Sequence, residues 1–236
     1  MKYTYLFIDI GTAIIPFLFS YHRKLRFSKN FKAFFAANLI TAVVFIFWDF
    51  LFTGLNVWGF NERYLCGIQI ANLPLEEVLF FVCIPFACLF TYHCINLFYS
   101  IAWNSKTEKR FVLIFSFILL IAGLARLDRL YTSTTFISLS LLLLYIKFIA
   151  KAKFLPKLFI VYPVLLVPFF IVNGLLTGSV IEQPIVYYNP NEYLGIRLGT
   201  IPVEDIFYGF ELILLNVFLY EYFLKRWNSK LPIRYN

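Results

Sequence analysis

The sequence predicts an all-α integral membrane fold: seven transmembrane helices, arranged as two parallel three-helix repeats joined by an extra helix. Three observations carry this. The 236 residues are 61% hydrophobic and only 14% charged, against about 25% charged in a typical soluble domain. Apolar runs near the roughly 20 residues needed to cross a bilayer recur along the chain. One motif also occurs twice, first as Pro74-Leu75-Glu76-Glu77 and then, 128 positions on, as Pro202-Val203-Glu204-Asp205.

The spans fall at about 3–20, 33–53, 75–98, 111–125, 131–150, 157–177 and 202–224. The first has the position of a secretory signal. Asp9 interrupts it, about 9 Å in at 1.5 Å per residue, and no small-x-small cleavage site follows. It reads as a retained helix. The fourth span is the shortest.

Loop charge orients these spans. Loop 21–32 holds Arg23, Lys24, Arg26, Lys29 and Lys32, and loop 100–110 holds Lys106, Lys109 and Arg110. Loop 151–157 holds Lys151, Lys153 and Lys157, and the tail holds Lys225, Arg226, Lys230 and Arg234. Together they carry 15 of the 21 Lys and Arg residues. The bias puts the amino terminus outside and the carboxyl terminus in the cytoplasm; if the cell is bacterial, the membrane is the cytoplasmic (inner) one. The net charge of +8 is explained by these loops, and nucleic acid is not an expected partner.

The repeat extends upstream of its motif. Asn61, Gly67, Ile68, Pro74 and Glu76 match Asn189, Gly195, Ile196, Pro202 and Glu204, and Glu77 against Asp205 keeps the charge. After a four-residue adjustment, Asp49-x-Leu51-x-Thr53-Gly54 answers Asn173-x-Leu175-x-Thr177-Gly178. A repeat of this length is architectural. Three spans would invert a second copy, and one extra span restores its direction, as in repeats related by an axis along the membrane normal. The expected units are 1–100, a connecting helix within 101–128, and 129–236.

Acids recurring at membrane depth point to function. Each proline is placed to be a first helical residue, where its missing N–H costs nothing. Two acids follow within the first turn, near free N–H groups and the positive end of the helix dipole. Such an acid can simply cap its helix. Two copies with paired acids favour more. Four carboxylates near one axis cannot all carry charge without repulsion, so the set offers an acid and a base side by side. Asp49 and Asn173 end their helices at a similar depth. Tyr208 and Glu211 follow Glu204 at i+4 and i+7, on one helix face. These make Glu76, Glu77, Glu204 and Asp205 the catalytic candidates, with Asp49, Asn173, Tyr208 and Glu211 as supporting or substrate-binding residues.

Other features carry less. Cys66, Cys83, Cys88 and Cys94 follow no metal or redox spacing, and Cys83 and Cys88 read as packing residues. His93 reads as packed or interfacial, and Glu221 as the i+4 partner of Lys225. Trp58, Tyr64, Tyr187, Tyr188 and Tyr193, in the long outer loops 54–73 and 178–200, suit interfacial anchoring. There is no dinucleotide fingerprint and no P-loop, no D-D-x-x-D diphosphate motif, and no central lysine in the seventh span for a retinal Schiff base. No cofactor or metal site is expected.

With these residues in hand, the chain resembles the lycopene cyclase domain of the heterodimeric bacterial cyclases, in its fused form. The paired P-[LV]-E-[ED] helix starts and the odd connecting helix carry the resemblance over nearly the whole length. Asp205 departs from the glutamate that would repeat the first motif. The resemblance implies conversion of lycopene to β-carotene by way of γ-carotene, with lycopene or a related carotenoid and the lipid bilayer as partners. It leaves open contacts with other carotenoid-pathway enzymes, and the alternatives of a longer C50 substrate or an ε-type ring. The reaction is an isomerisation and requires no redox cofactor by stoichiometry. Glu76 and Glu204 are the first candidates for acid or base, with Glu77 and Asp205 beside them. The rival reading is a small-solute transporter with a three-plus-one-plus-three repeat, which would need polar groups along a continuous path.

Overall fold

In the computed structural model, which describes residues 2–228, seven α-helices dominate the chain. They are α1 Thr4–Phe19, α2 Phe31–Gly54, α3 Leu75–Phe98, α4 Ser105–Leu124, α5 Leu130–Leu144, α6 Leu155–Leu176 and α7 Val203–Asn228. A π-helical turn, Tyr145–Ile149, prolongs α5. Lys230 and Arg234, used above for orientation, lie outside the described residues. Among the described residues, five segments are long and apolar enough to cross a membrane: Phe27–Gly54, Leu75–Phe98, Leu130–Ile149, Leu155–Leu176 and Val203–Trp227. The apolar helix Thr4–Phe19 is shorter. Side chains such as Phe7, Leu18, Phe117 and Val167 point away from the bundle. A soluble protein would not leave so much apolar surface uncovered; hydrocarbon covers it in a membrane protein.

The fourth helix differs from expectation. It begins at Ser105 rather than near 111, because Asn104 caps it by accepting the Lys106 N–H at 2.9 Å. Lys106, Lys109 and Arg110 therefore lie in helix, not loop. Glu108, in the first turn, is buried and pairs with Lys147 at 2.7 Å. Below it α4 lies tightly along α5. A Cβ on Gly123 would come within 2.8 Å of Ile137, and Ser140 donates to the Ser116 carbonyl. The connecting helix is thus packed against the helix that follows it.

The outer loops are more ordered than their sequence suggests. Gln69–Ile70 (β2) pairs with Leu73–Pro74 (β3), and Arg197–Leu198 (β5) pairs with Ile201–Pro202 (β6). Each two-residue turn opens on a positive φ, at Ala71 and Gly199, as tight hairpins require. The hairpins fix the helix starts. Pro74 and Pro202 are the last strand residues rather than the first helical ones, one position earlier than expected. The first helical N–H groups, of Leu75 and Val203, are taken by the carbonyls of Ile68 and Ile196. A third ladder, between Trp58–Phe60 (β1) and Val186–Tyr188 (β4), ties the two long loops together, with Trp58 opposite Tyr188.

The main core runs down the bundle through Phe34, Phe45, Phe81, Leu89, Leu139, Leu158 and Leu214. Two smaller clusters cap it beneath the loops, one around Tyr5, Tyr64 and Ile185, the other around Phe52, Trp58, Tyr131 and Tyr193. Trp58, Tyr64 and Tyr193 are therefore buried and not interfacial anchors; Tyr187 stays exposed. Towards the other end, His93 packs on Phe27 at 5.2 Å and lies 2.8 Å from the Leu25 carbonyl through Nε2. Glu221 accepts a hydrogen bond from Tyr92 at 2.9 Å across the bundle, instead of pairing along its helix with Lys225.

Candidate active site

The starts of α1, α3, α5 and α7 meet at one end of the bundle, joined by hydrogen bonds between side chains. Asp9, Asp49, Glu76, Glu77, Glu204, Asp205 and Glu211 are all buried, and no lysine or arginine is buried among the described residues. A buried carboxyl group without a cation needs hydrogen-bond donors to offset its lost hydration. Here hydroxyls and backbone N–H groups supply several of them.

The two acids of each motif face different ways. Glu76 Oε1 accepts the backbone N–H of Cys66 at 2.5 Å, and Glu204 Oε1 accepts that of Leu194 at 2.8 Å. Each holds the loop that leads into its own helix. Glu204 also accepts the Thr132 hydroxyl at 2.6 Å. Neither residue lines the cavity described below. The neighbouring acids do. Glu77 Oε2 accepts the Tyr5 hydroxyl at 2.7 Å. Asp205 accepts two, Tyr131 on Oδ1 at 2.7 Å and Tyr188 on Oδ2 at 2.8 Å. Among the described residues, Glu77 Oε1 receives no hydrogen bond.

Glu77 and Asp205 share one cavity of about 320 Å³. Asp49, Asn173 and Tyr208 line it too, so these three expected supporting residues reach the same space. Glu211 does not. It accepts the Ser138 hydroxyl at 2.9 Å, on the side of α7 that faces α5, as Glu204 does with Thr132. The face that the sequence shared among Glu204, Tyr208 and Glu211 is split: Tyr208 and Asp205, three residues apart, turn to the cavity. Asp9 is buried, neither of its carboxyl oxygens has a hydrogen-bond partner among the described residues, and it lies outside the lining.

Aromatic rings surround the carboxylates. Trp58 lies 5.1 Å from Tyr131 and 6.0 Å from Tyr208, and Tyr131 stacks on Tyr188 at 6.0 Å. Arg197, at the surface, lies over Tyr193 at 5.0 Å and Tyr188 at 5.7 Å. It also donates to the Tyr193 hydroxyl and the Thr200 carbonyl. Burial, and Asp205 beside it, push the Tyr188 phenol well above its usual range, so it remains a donor. Away from this end the lining turns apolar, through Ile84, Ala87, Leu165, Leu212 and Ile213. No group of three or more His, Cys, Asp or Glu side chains among the described residues is placed to hold a metal ion.

Sequence reading missed the tyrosine donors. Tyr5 and Tyr131 sit near the starts of helices in which neither tyrosine stood out from the other large side chains. Their signal was spacing: each precedes its acid by nearly the same interval, 72 and 74 positions. Tyr188 and Trp58 stood out only as aromatic loop residues. The arrangement can move a proton between carboxyl groups and an apolar molecule, and it presents aromatic faces to any positive charge that forms there.

The lycopene cyclase family model matches the chain twice, over residues 2–95 and 128–223. No curated protein and no solved structure matches it.

Proposed function

The chain belongs to the lycopene cyclase family, and from that footing we propose that it is a lycopene β-cyclase of the membrane. It would convert lycopene to γ-carotene and then β-carotene by acid–base cyclisation. The observation that carries the reading is that Glu77 and Asp205, one from each motif, line a single cavity, with Asp49 and Asn173 beside them and a lining that is mostly aromatic and apolar.

Glu77 is the proton donor in this reading, because one of its oxygens is free of hydrogen-bond donors. The proton goes to C2 of the terminal C1=C2 bond and leaves a tertiary cation at C1. The C5=C6 π electrons form the C1–C6 bond, and the cation moves to C5. Loss of the C6 proton to a carboxylate restores C5=C6 and completes the β-ionone ring. Asp205 faces the cation as counter-charge and takes this proton, held in place by Tyr131 and Tyr188. The rings of Trp58 and Tyr208 shield the cation from water and offer it their faces. Proton gain and loss balance, so no redox cofactor is required by stoichiometry. Glu76 and Glu204, the first choices from sequence, act as positioning residues that set the loops. A different deprotonation would give an ε ring, and a longer cavity occupant a C50 product.

We read the fold as two parallel three-helix repeats, 1–100 and 129–236, with a connecting helix within 101–128. The matched loop-to-acid bonds of Glu76 and Glu204 and the twofold family match support this. The loop charges support an outer amino terminus and a cytoplasmic carboxyl terminus; in a bacterial cell the membrane would be the cytoplasmic one. The transporter reading is weaker, because the carboxylates that line the cavity gather at one end and the lining beyond them is mainly aliphatic and aromatic. Pigment analysis of lycopene-accumulating cells that express the chain tests the proposal. Bicyclic β-carotene is the expected product, and unchanged lycopene would refute it.

A further inference from the structure

We propose that the cavity admits one end of a linear polyene at a time, and that the remainder lies in a side slot between α1 and α6 that opens to lipid. This rests on the cyclase reading.

The cavity follows α3 from Glu77 to Thr91, about 21 Å at 1.5 Å per residue. A hydrocarbon that matches the roughly 30 Å bilayer core does not fit within that length. The volume of about 320 Å³ is likewise at the small end of the roughly 300–1,000 Å³ seen for ligand pockets. All the lining carboxylates are at one end, so the far end group of a bound polyene has no acid beside it. The rest of the chain needs an exit.

The helix packing leaves one. α1 packs mainly on α3, while α6 packs on α3 and α7. Between α1 and α6 runs a groove bounded by Phe7, Ile8 and Leu175, and it shares Gly11, Thr12 and Val172 with the cavity. Phe7, on its rim, is 70% exposed. Gly11 is the informative residue. A glycine inside a helix costs about 1 kcal/mol relative to alanine, and its φ is not in the left-handed region. A Cβ at Gly54, Gly123, Gly174 or Gly209 would meet a neighbour within 3.6 Å, whereas one at Gly11 would meet nothing. Close packing inside the protein therefore does not explain this glycine. An open slot does. Two rings then require two bindings, with release and reversal of the one-ring intermediate through the lipid.

The test uses the full chain in lycopene-accumulating cells and, purified, in lycopene-loaded vesicles. Gly11→Trp and Val172→Trp fill the slot from opposite walls. Ile14→Trp adds the same bulk on α1 at a position that lines neither space. At equal membrane levels, the first two should form ring-bearing products at least tenfold more slowly than wild type, and Ile14→Trp should match it. Wild-type rates in both Gly11→Trp and Val172→Trp would overturn the slot and leave the carboxylate reading standing. In vesicles with excess lycopene, wild type should build up the one-ring product before the two-ring product. Two-ring product without that lag overturns one-end binding, whether or not the tryptophan variants fold. Wild type that leaves lycopene linear overturns both the slot and the cyclase reading.

Discussion

Tyr131 donates its hydroxyl hydrogen to Asp205 Oδ1 at 2.7 Å, joining the first turn of α5 to the first turn of α7. Tyr5 makes the corresponding bond from α1 to Glu77 in α3. A phenol is well suited to this place. Its ring adds apolar area to the packing under the loops, and its O–H supplies a donor without bringing a second charge into the bundle.

Tyr131→Phe keeps the ring and removes the donor. A hydrogen bond to a charged group contributes about 1.5–3 kcal/mol, so cyclisation should fall by roughly 10–100-fold. Tyr188→Phe should act in the same direction, through the other oxygen. Rates of ring formation at equal protein levels check this, and an unchanged rate in the double variant would remove the tyrosines from the mechanism.

Glu76 and Glu204 should separate stability from chemistry. Glu204→Ala strands the Leu194 N–H and the Thr132 hydroxyl, a loss of about 1–3 kcal/mol. Glu204→Gln keeps an oxygen for Leu194 and should stay within tenfold of wild-type activity. Thermal unfolding in detergent, read beside product yield, distinguishes the two effects. Loss of activity in Glu76→Gln and Glu204→Gln with full stability would return these acids to the catalytic role.

Much of the fold is legible from hydrophobic length and charge, since spans such as 75–98 are decided by apolar run length alone. The start of α4 was not, because Asn104 caps a turn rich in Lys and Glu that reads as loop. The motif announced its acids but not which of them face the cavity. Adjacent helical residues point about 100° apart, and which one faces a cavity depends on the phase of the helix. That phase is set by the hairpins 69–74 and 197–202. Tyr5 and Tyr131 were hidden for a related reason: in an apolar helix start, a tyrosine looks like any other large ring until its partner across the bundle is known.

Topology can be checked independently of chemistry. Reporter fusions after Lys32 and after Gly67 should report opposite sides of the membrane, with Lys32 cytoplasmic. The same compartment for both would contradict the expected order of spans.

Purified protein in lipid should cyclise lycopene without added flavin or nicotinamide, as proton balance allows. A strict need for reduced flavin would mean that a binding site has been overlooked.

The carboxylate roles face their most direct test in the pigments of lycopene-accumulating cells. Glu77→Gln and Asp205→Asn preserve size and hydrogen bonding but remove the titratable group. Each should lower ring formation by at least about a hundredfold, the lower range for general acid–base catalysis, while the protein still accumulates in the membrane. A shared site also requires that either single change leave lycopene rather than γ-carotene. Wild-type amounts of β-carotene from the double variant Glu77→Gln/Asp205→Asn would contradict it.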